Sequence, residues 1–269
     1  MSLACQSIPQ NSDKMFQLNR LSMYGFLDDI NSVQKFTEKS IKDDIRCAFT
    51  GSSSPWLNWI YGGFRSGNYE VFLDEKIQLA DQQKFPFIAL LDDTHSPSIG
   101  ETLTTKGFVN IGRSTGVSYD LSKVISIETN PAVSVRGVTN DEMFQDFVDI
   151  CSLIFEIMPD DVRRCHGAMY KNLPSEMFRL YVAYLSEEAV GCSIIHMKNE
   201  NACNNTAGVL THARNQGVLT KMAVERMLFA QSCGVAYMHS QCLDTSLRIY
   251  KKMGFEEFGT YSLYLKAPV

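Results

Sequence analysis

Val209-Leu210-Thr211-His212-Ala213-Arg214-Asn215-Gln216-Gly217-Val218-Leu219 is the stretch on which the reading of this chain turns. A short apolar segment, Ala207 to Thr211, enters a basic turn, and a helical pattern begins near Gly217. Such a junction aims several backbone N–H groups and the positive end of a helix dipole at one point, which suits phosphate. Gly217 lets a ligand come close to the backbone, and Arg214 stands beside it to neutralise charge.

Working outward from the turn, Gly217 to Cys233 reads as a helix with Leu219, Met222, Ala223, Met227 and Ala230 on one face, stopped by Gly234. Val235 to Met238 is a strand, Asp244 caps a helix to Met253, and Phe258 to Leu265 is a strand. Upstream, the polar run Asn199 to Thr206 reads as a turn. Phe178 to Leu185 and Ala189 to Met197 are strands joined by a hairpin at Ser186-Glu187-Glu188. Val133 to Arg136 alternates as a strand, Asp141 caps a helix to about Ile157, and Val162 to Asn172 is a second helix. The segment Ser122 to Pro131 is the candidate linker.

The same frame occurs once more, nearer the N-terminus. Asp74 to Gln83 reads as a helix and Phe85 to Leu91 as a buried strand. A loop from Asp92 to Ser98, a short helix ending at Lys106 and a strand through Leu121 follow. Gly107-Phe108-x-x-x-Gly112 returns 147 residues later as Gly254-Phe255-x-x-x-Gly259, each preceded by strand, loop and helix and followed by a strand. Two related halves, 1–125 and 132–269, are expected. They differ where chemistry would sit: Tyr250 stands four residues before Gly254, whereas Leu103 holds that place before Gly107. Residues 1–45 carry an amphipathic helix pattern on Phe26, Leu27, Ile30, Val33 and Phe36, expected at the surface. Trp56-Leu57-Asn58-Trp59-Ile60-Tyr61 is an aromatic stripe, either core or a ligand-facing wall.

Composition sets limits. At 269 residues, 45% hydrophobic and 20% charged, the chain is globular and long enough for two domains. The net charge of −5 offers no basic footprint for nucleic acid. No apolar run reaches the ~18 residues of a membrane span, and the N-terminal segment lacks the pattern of a secretion signal. None of the eight cysteines has metal or C-x-x-C spacing, so no metal site is expected and a reducing, cytoplasmic setting is.

With these pieces in place, the second half resembles the GNAT superfamily of acyl-CoA-dependent N-acetyltransferases. The family's phosphate-binding pattern is V-x-P-x-x-[RQ]-x-x-G-x-[GA]. Val209, Arg214 and Gly217 fit it; Thr211 replaces the proline and Leu219 the final small residue. The family's closing pattern, Tyr then Gly-Phe, is met by Tyr250-x-x-x-Gly254-Phe255. The first half resembles a degenerate copy, so the whole is similar to tandem GNAT proteins with one working half. The implied fold is α+β: tandem domains, each a mixed, largely antiparallel twisted sheet flanked by helices.

What the resemblance implies for chemistry follows. Acetyl-CoA is the cosubstrate. Its pyrophosphate and pantetheine arm would be held by Val209, Leu210, Thr211, Arg214, Asn215, Gln216, Gly217, Val218, Leu219 and Thr220. Tyr250 is the expected general acid for the departing thiolate. The acceptor is a small-molecule or peptide amine, and the first half would wall off its pocket. The general base stays open, with His212, Glu156, Asp160 and Asp161 as the acid–base residues nearest the site. Leu243 stands where many members carry a cofactor-binding Asn, and Ser246 is the candidate substitute. The alternative is a non-catalytic acyl-CoA-binding or protein-interaction module.

Overall fold

The structure is a computed structural model that describes residues 9–33, 38–42, 44–64, 69–94 and 97–269. Cys5 and Phe36 lie outside the described residues. The first half runs α1 (Pro9–Val33), β1 (Glu38–Lys42), β2 (Ile45–Phe49), a 3-10 turn (Pro55–Leu57), β3 (Asn58–Gly62), α2 (Tyr69–Gln83), β4 (Phe87–Asp92), α3 (Pro97–Thr105) and β5 (Val109–Asp120). The second runs β6 (Val133–Gly137), α4 (Asp141–Phe155), α5 (Pro159–Asn172), β7 (Phe178–Leu185), β8 (Glu188–Lys198) and β9 (Asn201–Val209), then a 3-10 turn (Thr211–Ala213), α6 (Val218–Ser232), β10 (Tyr237–Cys242), α7 (Asp244–Lys252) and β11 (Glu256–Lys266).

The described strands form one sheet, ordered β1-β2-β3-β4-β11-β5-β10-β9-β8-β7-β6. Only β3–β4 and β9–β10 pair in parallel. The two halves interlock at the centre. β11 pairs with β4 of the first half, and β5 pairs with β10 of the second. Between them β5 and β11 lie antiparallel, with Ser114 opposite Tyr261, its own counterpart at the 147-residue repeat. The register is symmetric about that pair: Gly116 faces Gly259 while Gly112 faces Leu263. Even the irregularities match, because Phe258 and Ile111, also 147 residues apart, are the residues skipped by the pairing. The repeat seen in sequence is thus a two-fold relation in the sheet.

α1 crosses this centre. Ser22 to Leu27 are all buried, because the sheet lies on one side and α5 packs on the other. This corrects the expectation of a surface helix. The Asn19 amide, fully buried, donates to the carbonyls of Val117 (2.9 Å) and Ser240 (3.3 Å), and its oxygen accepts from Tyr261 Oη (2.8 Å) and Gln241 (2.8 Å). One side chain so ties α1 to β5, β10 and β11. Gly259 has φ +150°, and a Cβ there would come within 2.5 Å of the Phe16 ring, so the close approach of α1 requires glycine.

Other expectations shift. The N-cap of α4 is Asn140, whose Oδ1 accepts from Met143 N at 2.9 Å, with Asp141 inside the first turn. Asp244 is likewise the first residue of α7 and makes no side-chain cap. The run Asn199 to Thr206 is mostly strand: β9 starts at Asn201 and pairs with β8 and β10. β10 lies further along than Val235 to Met238, at Tyr237–Cys242.

Candidate active site

β9 and β10 run side by side only from Asn201–Tyr237 to Asn204–Ser240. Beyond that point each follows its other neighbour. β9 stays on β8, and Leu210 N donates to Val190 O at 2.8 Å. β10 stays on β5 as far as Cys242–Thr115. A bulge at Thr206 (φ 46°) bends β9 away. The strands therefore splay, and the free edge of β9 from Asn205 onward faces a cavity of about 1140 Å³.

The motif turn forms one end of this cavity. Thr211–Ala213 make a 3-10 turn, Asn215 (φ 62°) and Gly217 (φ 78°) take left-handed conformations, and α6 starts at Val218. Lys221 N donates to Gly217 O at 2.9 Å, and the N–H groups before it are those that no helix satisfies internally. Arg214 Nε donates to Val209 O (3.2 Å), and Gln216 Nε2 to His212 O (3.1 Å). A linker residue braces the loop: Asn130 Nδ2 donates to Gln216 O at 2.9 Å. Val209, Arg214, Asn215, Gly217, Val218, Leu219 and Thr220 all line the cavity; Leu210, Thr211 and Gln216 do not. Leu219, in the family's small-residue position, is half-buried and packs against the cores on both sides of α6.

Tyr250 of α7 lines the same cavity and is 2% exposed. Its Oη accepts from Arg226 Nη2 at 3.3 Å. Arg226 is fully buried on α6, and its other described bonds also go to neutral oxygens, Met222 O (3.0 Å) and Ile194 O (3.3 Å). A permanent positive charge is therefore held against the phenol. Burial pushes the Tyr250 hydroxyl up from its ordinary value, and the Arg226 charge works against that rise. Asn204 stands at the splay point, 3% exposed and lining the cavity, with neither amide atom bonded among the described residues.

The acidic and basic candidates separate. His212 pairs with Glu188 at 3.1 Å on the surface. Asp160 pairs with Arg163 (2.8 Å), while Asp161 takes Arg164 (2.5 Å) and Ser52 Oγ (2.5 Å). Arg164 also donates to Thr50 O at 3.1 Å, so this cluster fastens α5 to the first half. Glu156, in a left-handed conformation after α4 (φ 53°), lines the cavity. Ser246 lines it too, its Oγ donating to Leu243 O at 3.1 Å. The far wall is built by α1 and the first half and includes Trp56 and Trp59, so the aromatic stripe is divided: the tryptophans face the cavity and Tyr61 is core. Arg226, Asn204 and Asn130 were not singled out by sequence. Arg226 alone left a signal, an arginine at helical spacing within the apolar face of Met222, Ala223, Met227 and Ala230.

No protein-family model and no curated protein sequence matches the chain. Solved structures do match in shape. A GCN5-related N-acetyltransferase from Kribbella flavida superposes with a TM-score of 0.70 at 12% identity, covering 93% of this chain and 95% of that one. A GCN5-related N-acetyltransferase from Sphaerobacter thermophilus gives 0.62 at 14%, covering 83% and 76%. The fold is therefore the GNAT fold, one that acetyltransferases use. It is present in the tandem form: a tandem GNAT protein from the clavulanic acid biosynthesis pathway superposes over 97% of this chain and 96% of its own, with a TM-score of 0.56 at 13% identity.

Proposed function

We propose that this protein moves an acetyl group from acetyl-CoA to an amine, with its chemistry in residues 132–269 and residues 1–125 closing the acceptor side. The observation that carries this reading is the joint placement of the Gly217 turn and Tyr250 on one cavity, with the buried Arg226 bonded to the Tyr250 hydroxyl. The residues fit the cosubstrate: outward N–H groups and Arg214 suit a pyrophosphate, and the free β9 edge suits the pantetheine amides.

Acetyl-CoA supplies the thioester. A backbone N–H at the free edge of β9 near Val209 polarises its carbonyl. The amine nitrogen bonds to the carbonyl carbon as the C–S bond breaks. Tyr250 gives its proton to the departing sulfur, and Arg226 stabilises the phenolate left behind. The proton shed by the amine goes to Glu156, directly or through water; Glu156 then releases it to solvent as a proton from solvent restores Tyr250.

Thermal unfolding with acetyl-CoA and free-thiol release over a panel of amines test the proposal. Acetyl-CoA raises Tm, and Tyr250→Phe lowers turnover while that Tm rise persists. Leu219 and Leu243, both departures from the family pattern and both on the cavity wall, favour the alternative of a non-catalytic acyl-CoA-binding module. A Tm rise without thiol release for any amine would establish the alternative.

A further inference from the structure

The two ends of the cavity differ in chemistry. Its cations, Arg214 and Lys252, belong to the motif turn and α7, the end assigned above to the cosubstrate. The wall built by α1 and the first half, including Met23, Phe26, Leu27 and Ile30 with Trp56 and Trp59, carries no charged side chain among the described residues. Its polar members are Ser114 and Thr50, whose hydroxyl is already engaged by Asn58 Oδ1 and Ser52 N, and an unpaired group stands beside it. His166 of α5 lines the cavity at 3% exposure, its ring edge-on to Phe147 at 5.8 Å, and its Nδ1 has no hydrogen-bond partner among the described residues.

Each feature narrows the acceptor. Polycationic amines call for carboxylates along the wall, and sugar phosphates call for cations there; this wall offers neither, the cavity's two carboxylates, Glu128 and Glu156, standing on the linker and at the end of α4. An unpaired buried polar atom carries a desolvation cost that a bound partner removes. At about 1140 Å³ the cavity exceeds the ~300–1,000 Å³ of an ordinary small-ligand site, leaving room for a second molecule beside the cosubstrate arm. We propose that the acceptor is a primary amine on an apolar, aromatic-sized body bearing one neutral hydrogen-bonding group, a hydroxyl or an amide, that docks on His166. This rests on the acetyl-transfer reading. A hydroxyl can donate or accept, so it serves either tautomer of the imidazole.

The chain's only two tryptophans, Trp56 and Trp59, both line the cavity, so their emission reports on its occupant. Tyramine, phenethylamine, spermidine and glucosamine 6-phosphate are titrated with and without acetyl-CoA, by tryptophan fluorescence and by thiol release. Tyramine should bind saturably and turn over, with phenethylamine about fivefold weaker for want of one hydrogen bond. The two polar amines should move neither signal. His166→Leu should erase the tyramine advantage, leave phenethylamine unchanged and raise Tm, because an orphaned polar group gives way to an apolar one. Spermidine or glucosamine 6-phosphate binding as well as tyramine overturns the inference. So does emission unmoved by tyramine while acetyl-CoA still raises Tm, and that result leaves the acetyl-transfer reading intact. Absence of any Tm rise with acetyl-CoA sinks the acetyl-transfer reading instead, and fluorescence then still tests the cavity's preference. A His166→Leu variant that weakens tyramine and phenethylamine alike, or lowers Tm, removes His166 from the docking role.

Discussion

Replacing Arg226 by methionine keeps most of the side-chain length and removes the charge on Tyr250. Arg226 Nη2 lies 3.3 Å from the phenol oxygen. At that distance two unit charges attract by ~5 kcal/mol at an effective dielectric of ~20. With about half the phenolate charge formed as the C–S bond breaks, the guanidinium stabilises the transition state by ~2.5 kcal/mol, or about 70-fold in rate. Arg226→Met should therefore lower kcat between ~30- and ~300-fold, overlapping the lower part of the ~10²- to 10³-fold span of single-donor losses. The Tm rise with acetyl-CoA should persist, because Arg226 does not reach the motif turn. Arg226→Lys, which retains charge without the planar fork, should recover part of the loss. Unfolding the variants in urea corrects rates for the folded fraction. A kcat for Arg226→Met within threefold of wild type, alongside a collapsed Tyr250→Phe, would refute the electrostatic role and leave Arg226 a packing residue.

Tyr250→Phe should lower kcat ~10²- to 10³-fold with little change in the acetyl-CoA Kd by calorimetry. Gly217→Val should weaken acetyl-CoA binding at least tenfold: φ is +78° there and a Cβ meets Asn130 Cβ at 3.2 Å. Gly259→Val, by driving a side chain into Phe16, should cost about 3 kcal/mol in urea unfolding. Acid should destabilise the fold early. Burial pushes His166 down to about 4 and His239 down to about 3, whereas unfolded histidine titrates near ~6.5. Above that pH both states are neutral and the contribution is complete. Below it the unfolded chain takes protons that the folded one refuses, so stability falls by up to ~1.4 kcal/mol per pH unit for each histidine until the folded values are reached. His166→Leu should reduce that slope between pH 6.5 and 4, measured by denaturant titrations across the range.

The repeat and the motif turn were legible because both rest on backbone needs: glycines at fixed offsets and a strand running into a helix. The exchange of β5 and β11 was not legible, since each strand has the same pattern whichever partner it takes. β9 was misread over Asn201 to Thr206 for a reason tied to the site. A strand whose free edge borders the cavity carries Asn204, Asn205 and Thr206, so its composition imitates a turn. α1 was underrated because its second buried face exists only once α5 lies over it. Arg226 escaped because an arginine on an apolar helix face is ordinarily a solvated edge residue, and only the three-dimensional position of Ile194 O and Tyr250 Oη explains its burial.

The exchanged strands bear on how the molecule comes into being. β11 is the last strand in sequence and sits between β4 and β5 at the middle of the sheet. Until it is in place, β4 and β5 each present an open edge, the kind of surface that recruits foreign strands. The N-terminal half cannot complete itself ahead of the other, as independent domains on a ribosome do. A chain severed at the linker would yield two pieces that each lack the strand lent by the other. Mixed in solution, those pieces should find one another, and recovery of thiol release on mixing would report the rejoining.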